Sequence, residues 1–187
     1  YSEDQGHSWT RPELLFDGRE HGTRDVMSVS LLRMKNGDVG LFYLYRHGRD
    51  NLKLVLRRSA DEGLSWQPPA ECISVPGYYV VNNDRVIRTS AGRIIAPAGC
   101  HADREQGADC WNPLAYDRFF YSDDDGYTWH LSPGELHLHV PHTQTALQEP
   151  GLIELKDGRL WSWARTDLGC QYESFSNDNG MSWSAPV

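Results

Sequence analysis

Seven charged side chains stand where a strand of the predicted fold begins or ends. A carboxylate can draw off a proton, and a guanidinium fork can bind an anionic ligand through two parallel hydrogen bonds. Charges of both signs in one buried place are costly unless they pair or are used. They therefore form either ion pairs between structural units or a ligand site. The seven are Asp25, Arg46, Asp84, Arg85, His101, Glu149 and Arg165.

A fourfold repeat indicates which elements position these residues. The pattern Ser-x-Asp-x-Gly-x-[Ser/Thr]-Trp recurs at residues 2–9, 59–66, 122–129 and 176–183, called boxes below. In such a turn the Asp accepts backbone hydrogen bonds from two residues on, Gly allows a positive φ, and Trp supplies apolar surface. We expect hairpin clamps rather than catalytic or calcium-binding carboxylates. This excludes Asp4, Asp61, Asp124, Asp125 and Asp178 from the catalytic candidates.

A second repeat lies between the boxes. Strand, tight turn and strand recur around Gly37, Gly92 and Gly158. A third strand is expected before each box (52–59, 119–122, 171–176) and a fourth after it (11–16 and 66–73, for example). Four antiparallel strands in a repeat are typical of a β-propeller blade. The sequence thus predicts an all-β, single partial propeller domain over residues 1–187, with about three to three and a half blades. The ring would be completed by a larger protein or by a second copy in a homodimer.

Strand alternation predicts which end of the blades carries function. Each box turn joins strands three and four, so the start of strand one and the end of strand two lie at the opposite end. Nine residues before the three turn glycines stand Ser28, Asn83 and Glu149, which we expect near the propeller axis. The seven charged residues fall at this same end.

The boxes resemble the Asp-box, or BNR, repeat of the sialidase superfamily, and the resemblance covers essentially the whole chain. It implies a six-bladed propeller whose active site lies opposite the boxes. In sialidases a Glu opening one first strand polarises a nucleophilic Tyr, and an Arg after the next strand helps to grip the sialic acid carboxylate. Glu149 in Gln-Glu-Pro-Gly and Arg165 in Trp-Ala-Arg-Thr match these positions. The resemblance therefore implies a catalytic Glu149 and a substrate-binding Arg165.

The family's other catalytic residues have no counterpart in this sequence. Its acid/base Asp and first triad Arg would precede Tyr1, and its third Arg and nucleophilic Tyr would follow Val187. Tyr172 does not match that nucleophile, because it begins a third strand. We therefore expect this chain alone to be inactive. Asp84 and Arg85 stand where small residues often line the sialic acid pocket, which bears on sugar specificity.

Three functions are compatible with these patterns. The first is an exo-acting glycoside hydrolase that removes a terminal acidic sugar such as sialic acid, without a cofactor. In it Asp84, Arg85 and His101 would shape the pocket, with Asp25 and Arg46 on the same face. The second is a non-catalytic propeller that binds a glycan or a protein. The third is a related hydrolase or lyase acting on another acidic sugar.

Composition excludes several other classes. The formal net charge of −8 opposes a nucleic-acid-binding surface, and no apolar run approaches the roughly 20 residues that cross a bilayer. The four Cys match no zinc template, and a Cys100–Cys110 bridge stays possible. His137, His139 and His142 form either a metal cluster or an exposed alternating strand; we expect no metal. Export is common among such proteins, although no export segment is visible.

Overall fold

The computed structural model describes residues 2–48, 51–102 and 111–187. These residues contain one short 3-10 turn, Gly18–His21, and no helix that could span a membrane. They also form the strands β1 Asp25–Arg33, β2 Val39–Arg46, β3 Asn51–Ser59, β4 Ala70–Glu71, β5 Gly77–Val80, β6 Ile87–Arg88, β7 Ile94–Ala102, β8 Trp111–Ser122, β9 His130–Leu136, β10 Gln148–Glu154, β11 Leu160–Arg165 and β12 Gln171–Ser176. The all-β prediction is therefore confirmed.

The strands form three successive antiparallel blades. The first contains β1 to β4, the second β6 to β9, and the third β10 to β12. Strand β5 pairs in parallel with β3 and antiparallel with β7, so it joins the first two blades into one nine-stranded sheet. The described strands do not close into a ring, as expected for part of a propeller.

Some predicted strands are shorter or absent. Residues 11–16 form no strand, and no described strand pairs with them. The expected strand 66–73 is reduced to β4, since Pro68 and Pro69 have no N–H group to donate. The first strand of the second blade is reduced to β6. Its preceding backbone turns toward the first blade, where the Asp84 N–H donates to the Val29 carbonyl at 2.9 Å.

The apolar core lies between the blades. One cluster joins the first and second blades and includes Phe42, Leu56 and Phe120. Another joins the second and third and includes Phe119 and Leu160. The adjacent Phe119 and Phe120 thus point to opposite faces of β8, so the second blade is buried on both faces. This packing fixes the blades relative to one another and hence the positions of their strand ends.

All four boxes contain the Asp and Ser hydrogen bonds of the predicted clamp, and the first three also contain a bond from the Trp indole N–H to the Gly carbonyl, whereas the Trp183 ring of the fourth box stacks on Phe119 instead. In the second box, Asp61 accepts from the Ser65 N–H at 2.8 Å and from its hydroxyl at 2.6 Å. The Ser59 hydroxyl accepts the Gly63 N–H at 2.8 Å, and the Trp66 indole N–H donates to the Gly63 carbonyl at 3.1 Å. The Asp thus reaches a residue four positions on, rather than two, because the turn is longer than a simple Asx turn.

Asp125 is not a clamp residue, contrary to the expectation. In the third box Asp124 accepts the Thr128 N–H at 2.8 Å and hydroxyl at 2.6 Å. Asp125 instead leaves the box and contacts the first blade, where its carboxylate accepts the Lys35 N–H at 3.1 Å. It also pairs with Arg88 and lies 3.9 Å from an Arg58 guanidinium nitrogen. Its role is a junction between two blades.

Candidate functional site

Strand register separates the candidate site from the boxes. Leu160, at the start of β11, pairs with Ser176 of the fourth box, whereas Arg165, at the end of β11, pairs with Gln148 and Gln171. The five intervening residue steps correspond to about 17 Å of extended strand. The Arg165 end of the third blade is therefore opposite the box end.

Glu149 and Arg165 form an ion pair at this end. The Arg165 Nη2 group lies 3.2 Å from Glu149 Oε1, with the two side chains 45% and 42% exposed. The same Nη2 donates to Gln148 Oε1. Gln148 is buried, and its Nε2 donates to the Pro113 carbonyl at 2.9 Å. A guanidinium is thus presented to solvent between one carboxylate and one amide.

Glu149 takes a left-handed backbone conformation, with φ of +55°. Ser28 and Asp84 have φ of +60° and +55°, so one residue at the start of each blade shares this geometry. At Ser28 and Glu149 the strand register also shifts, as in a β-bulge, which re-aims a side chain. In the second blade the residue with this conformation is Asp84, not Asn83, which stands nine residues before the turn glycine. The second blade reaches its turn glycine one residue sooner.

A cavity of about 470 Å³ opens beside the ion pair. His101 lines it and is buried, with Nδ1 3.2 Å from the Asn112 carbonyl oxygen. Because a carbonyl can only accept, Nδ1 carries the proton. Burial lowers the pKa of His101, with the Arg165 charge acting in the same direction and the Asn112 hydrogen bond opposing it. The lining residues are Tyr78, Val80, His101, Pro113, Thr145, Gln148, Glu149 and Arg165.

The structure brings three of the seven predicted residues together, namely His101, Glu149 and Arg165. Asp25 and Arg46 form their own ion pair at 3.2 Å on the first blade. They belong to the same end of the fold but not to the lining of this cavity.

The remaining two lie at the junction of the first and second blades. The backbone of Asp84 bonds to the first blade, and that of Arg85 donates to the Ser30 hydroxyl at 3.0 Å. The Arg85 guanidinium lies over the Trp163 ring of the third blade, 5.5 Å from its centroid. Arg85 therefore reaches β11, two residues before Arg165.

Sequence reasoning missed several lining residues, among them Tyr78, Thr145 and Gln148. Tyr78 lies on β5, which is outside the blade repeat, so the repeat carried no signal for it. Thr145 lies on a loop that Asp167 fixes through hydrogen bonds from the Thr143 and Thr145 hydroxyls. Gln148 stands directly before Glu149, and that polar pair at the start of an apolar strand was the available signal.

The remaining candidates are the histidines of the 137–142 segment and the pair Cys100 and Cys110. His137 stacks on Tyr116 at 4.7 Å and contacts Glu135 at 3.0 Å. In the described ranges no group of three His, Cys, Asp or Glu residues could hold a metal ion. Cys100 is buried, and Cys110, the other half of the bridge that the sequence left open, lies outside the described residues.

Comparisons with known proteins show which family of proteins this sequence is similar to. The sequence matches the BNR repeat-like domain over residues 1–187. It is similar to the anhydrosialidase of Macrobdella decora, 31% identical over 144 residues, and to Sialidase-4 of Mus musculus, 29% identical over 147 residues. These matches cover 72% and 73% of this chain but only 16% and 29% of the relatives. A Hadza microbial sialidase of known structure is 19% identical, with a TM-score of 0.76 over 100% of this chain and 39% of that one, which shows the shared fold.

Proposed function

This chain belongs to the BNR-repeat sialidase superfamily, and from that premise we propose that it forms part of an exo-acting glycoside hydrolase. The substrate would be a glycan ending in an acidic sugar such as sialic acid. The observation that carries the proposal is the Glu149–Arg165 pair, held at the blade end opposite the boxes and beside a cavity. The cavity and the pair together offer one cation and one carboxylate to a small polar ligand.

Arg165 would bind the anionic group of the sugar. A guanidinium suits a carboxylate because its planar fork gives two parallel hydrogen bonds. Its exposed fraction of 45% leaves it accessible to a ligand. His101, neutral through burial, would line the cavity without adding charge, so Arg165 would remain the cavity's cation.

Glu149 would act on the nucleophile. In a glycosidase with a Tyr nucleophile, a carboxylate beside the phenol draws off its proton as the phenolic oxygen attacks the sugar. That Tyr and the acid that protonates the leaving group would come from outside this sequence. The isolated chain is therefore proposed to be inactive.

Four further residues would contact more distant parts of the substrate. Asp84 and Arg85 would restrict the sugar on the side of the second blade, since Arg85 reaches Trp163. Asp25 and Arg46 would contact a longer glycan from the first blade. Their mutual ion pair would have to open for this role, at a small cost because both side chains are partly exposed.

The test uses the complete protein that carries this chain and a fluorogenic sialoside. Glu149→Gln and Arg165→Lys should each reduce kcat/KM by at least about a hundredfold, because the first removes the carboxylate that acts on the nucleophile and the second removes the guanidinium fork that binds the sugar's anionic group. Arg159→Lys and Asp157→Asn are matched controls, since these two residues form an exposed ion pair at the box end of the same hairpin. Wild-type activity in both site variants would contradict the assignment. Binding of sialic acid without turnover by the wild type would instead support the non-catalytic propeller.

A further inference from the structure

We propose that Gln148 is a positioning residue that holds Arg165 ready for an anionic ligand. The inference rests on the proposed function and deepens it. Gln148 is 6% exposed, and both ends of its amide are engaged. Its Oε1 accepts from Arg165 Nη2, and its Nε2 donates to the Pro113 carbonyl at 2.9 Å. The amide thus links a site cation to the backbone of the neighbouring blade.

The orientation of this amide follows from chemistry. The Pro113 carbonyl can only accept, and the Arg165 guanidinium can only donate, so Nε2 must face the first and Oε1 the second. The backbone behind the amide is fixed as well. Ala115 N–H donates to the Thr145 carbonyl at 2.9 Å, and Leu147 N–H donates to the Ala115 carbonyl at 3.3 Å. These bonds tie β8 to the segment that leads into Gln148.

A neutral amide holds the guanidinium without neutralising it. A second carboxylate at this position would form its own ion pair with Arg165 and so compete with an anionic ligand. Both of the hydrogen bonds of Arg165 to Gln148 and Glu149 use Nη2. In the part of the chain that the structure describes, Nε and Nη1 have no such bond, so they remain available to a carboxylate ligand.

The first variant is Gln148→Met, which keeps the side-chain length and removes both hydrogen bonds. In the complete protein we expect KM for a fluorogenic sialoside to rise about tenfold with kcat nearly unchanged, as for a lost hydrogen bond to a charged group that acts in binding. Sialic acid should bind about tenfold more weakly, and its uncharged methyl ester with unchanged affinity. Gln144→Met is the matched control, because Gln144 is exposed and, among the described residues, bonds in the loop only through its backbone N–H.

The second variant, Gln148→Glu, keeps the bond to Arg165 but adds a competing charge. We expect a raised KM near neutral pH and a ratio of variant to wild-type KM that falls at acidic pH, where the introduced carboxyl becomes protonated. A ratio independent of pH, or equal weakening of the acid and its ester in Gln148→Met, would overturn the positioning role. An active wild type with an unaffected Gln148→Met overturns this inference alone. A wild type that neither hydrolyses nor binds sialosides overturns the proposed function and this inference with it.

Discussion

Asp117 lies directly across the β7–β8 pair from Gly99, with its carboxyl completely buried and neither oxygen hydrogen-bonded to any described residue. Cross-strand neighbours share a face of the sheet. A Cβ added to Gly99 would lie 3.5 Å from the Glu149 backbone nitrogen, so this face packs against the start of the third blade. The unpaired acid is therefore part of the interface that positions Glu149.

Asp117→Leu should stabilise the protein at neutral pH by about 1–3 kcal/mol, because it removes a buried polar group without a partner. Burial raises the pKa of Asp117 well above its usual 3.8. Because the pKa of Asp117 is higher in the folded protein than in the unfolded one, its contribution to folding stability is fully present below the unfolded pKa. This contribution is lost as the pH rises through the folded pKa.

Denaturant unfolding from pH 4 to pH 8 tests this sign. The stability of the wild type should fall with rising pH relative to that of Asp117→Asn, whose amide does not titrate in this range. Parallel pH profiles for the two proteins would show that the carboxyl is not buried in a neutral form. The activity of the complete protein, measured for the same variants, would report whether a change at this interface also displaces Glu149.

The clamp residue Asp124 titrates in the opposite sense. The Thr128 hydroxyl and N–H lower the pKa of Asp124 to about 2. Its contribution to folding stability is therefore fully present above the unfolded pKa of about 3.8 and disappears as the pH falls toward 2. Asp124→Asn should lower the melting temperature at neutral pH, and the difference from wild type should shrink with acidification. Asp123→Asn is the control, because it breaks only a partly exposed ion pair with Arg93. Equal losses in both variants would contradict a clamp.

The repeat explains why so much of the fold was predictable. Each box carries its own hydrogen-bond network within eight residues, so a local pattern was enough to find the hairpins and the end opposite them. Glu149 and Arg165 were found because their motifs resemble sialidase positions, and the pairing of β10 with β11 brings them together at the open end of one hairpin. The third-box Asp125 was misassigned because two neighbouring Asp residues fit one turn, and only tertiary contacts distinguish them.

Residues outside the repeat could not be found in this way. Tyr78 reaches the cavity through β5, whose parallel pairing with β3 is a tertiary feature with no sequence period. Gln148 acts through the Pro113 carbonyl, a backbone group that any residue would supply. The shift from Asn83 to Asp84 arises because the spacing between this residue and the turn glycine is one residue shorter in the second blade.

The hydrogen bonds that Asp167 accepts from the loop at residues 143–145 give a prediction about the cavity. Its carboxylate accepts from the Gln144 N–H at 2.8 Å and from the Thr143 and Thr145 hydroxyls at 2.6 and 3.1 Å. Asp167→Ala should loosen residues 143–147 and increase amide hydrogen exchange there, because these bonds fix the loop that carries Thr145. Exchange in β11 should be unchanged, since the strand keeps its own ladder. Unaltered exchange in the loop would show that Asp167 does not hold it.

The junction formed by Asp125 should be the most sensitive of these sites to substitution. Its carboxylate is almost fully buried between Arg88 and Arg58 and is the acceptor for the Lys35 N–H. Removing one partner of a buried ion pair leaves the other charges uncompensated, so Asp125→Ala should cost about 3–5 kcal/mol in the free energy of unfolding. Asp125→Ala combined with Arg88→Met should recover part of this loss, because the second change removes one stranded cation. Additive losses in the double variant, measured by denaturant unfolding, would show that the two side chains are not coupled.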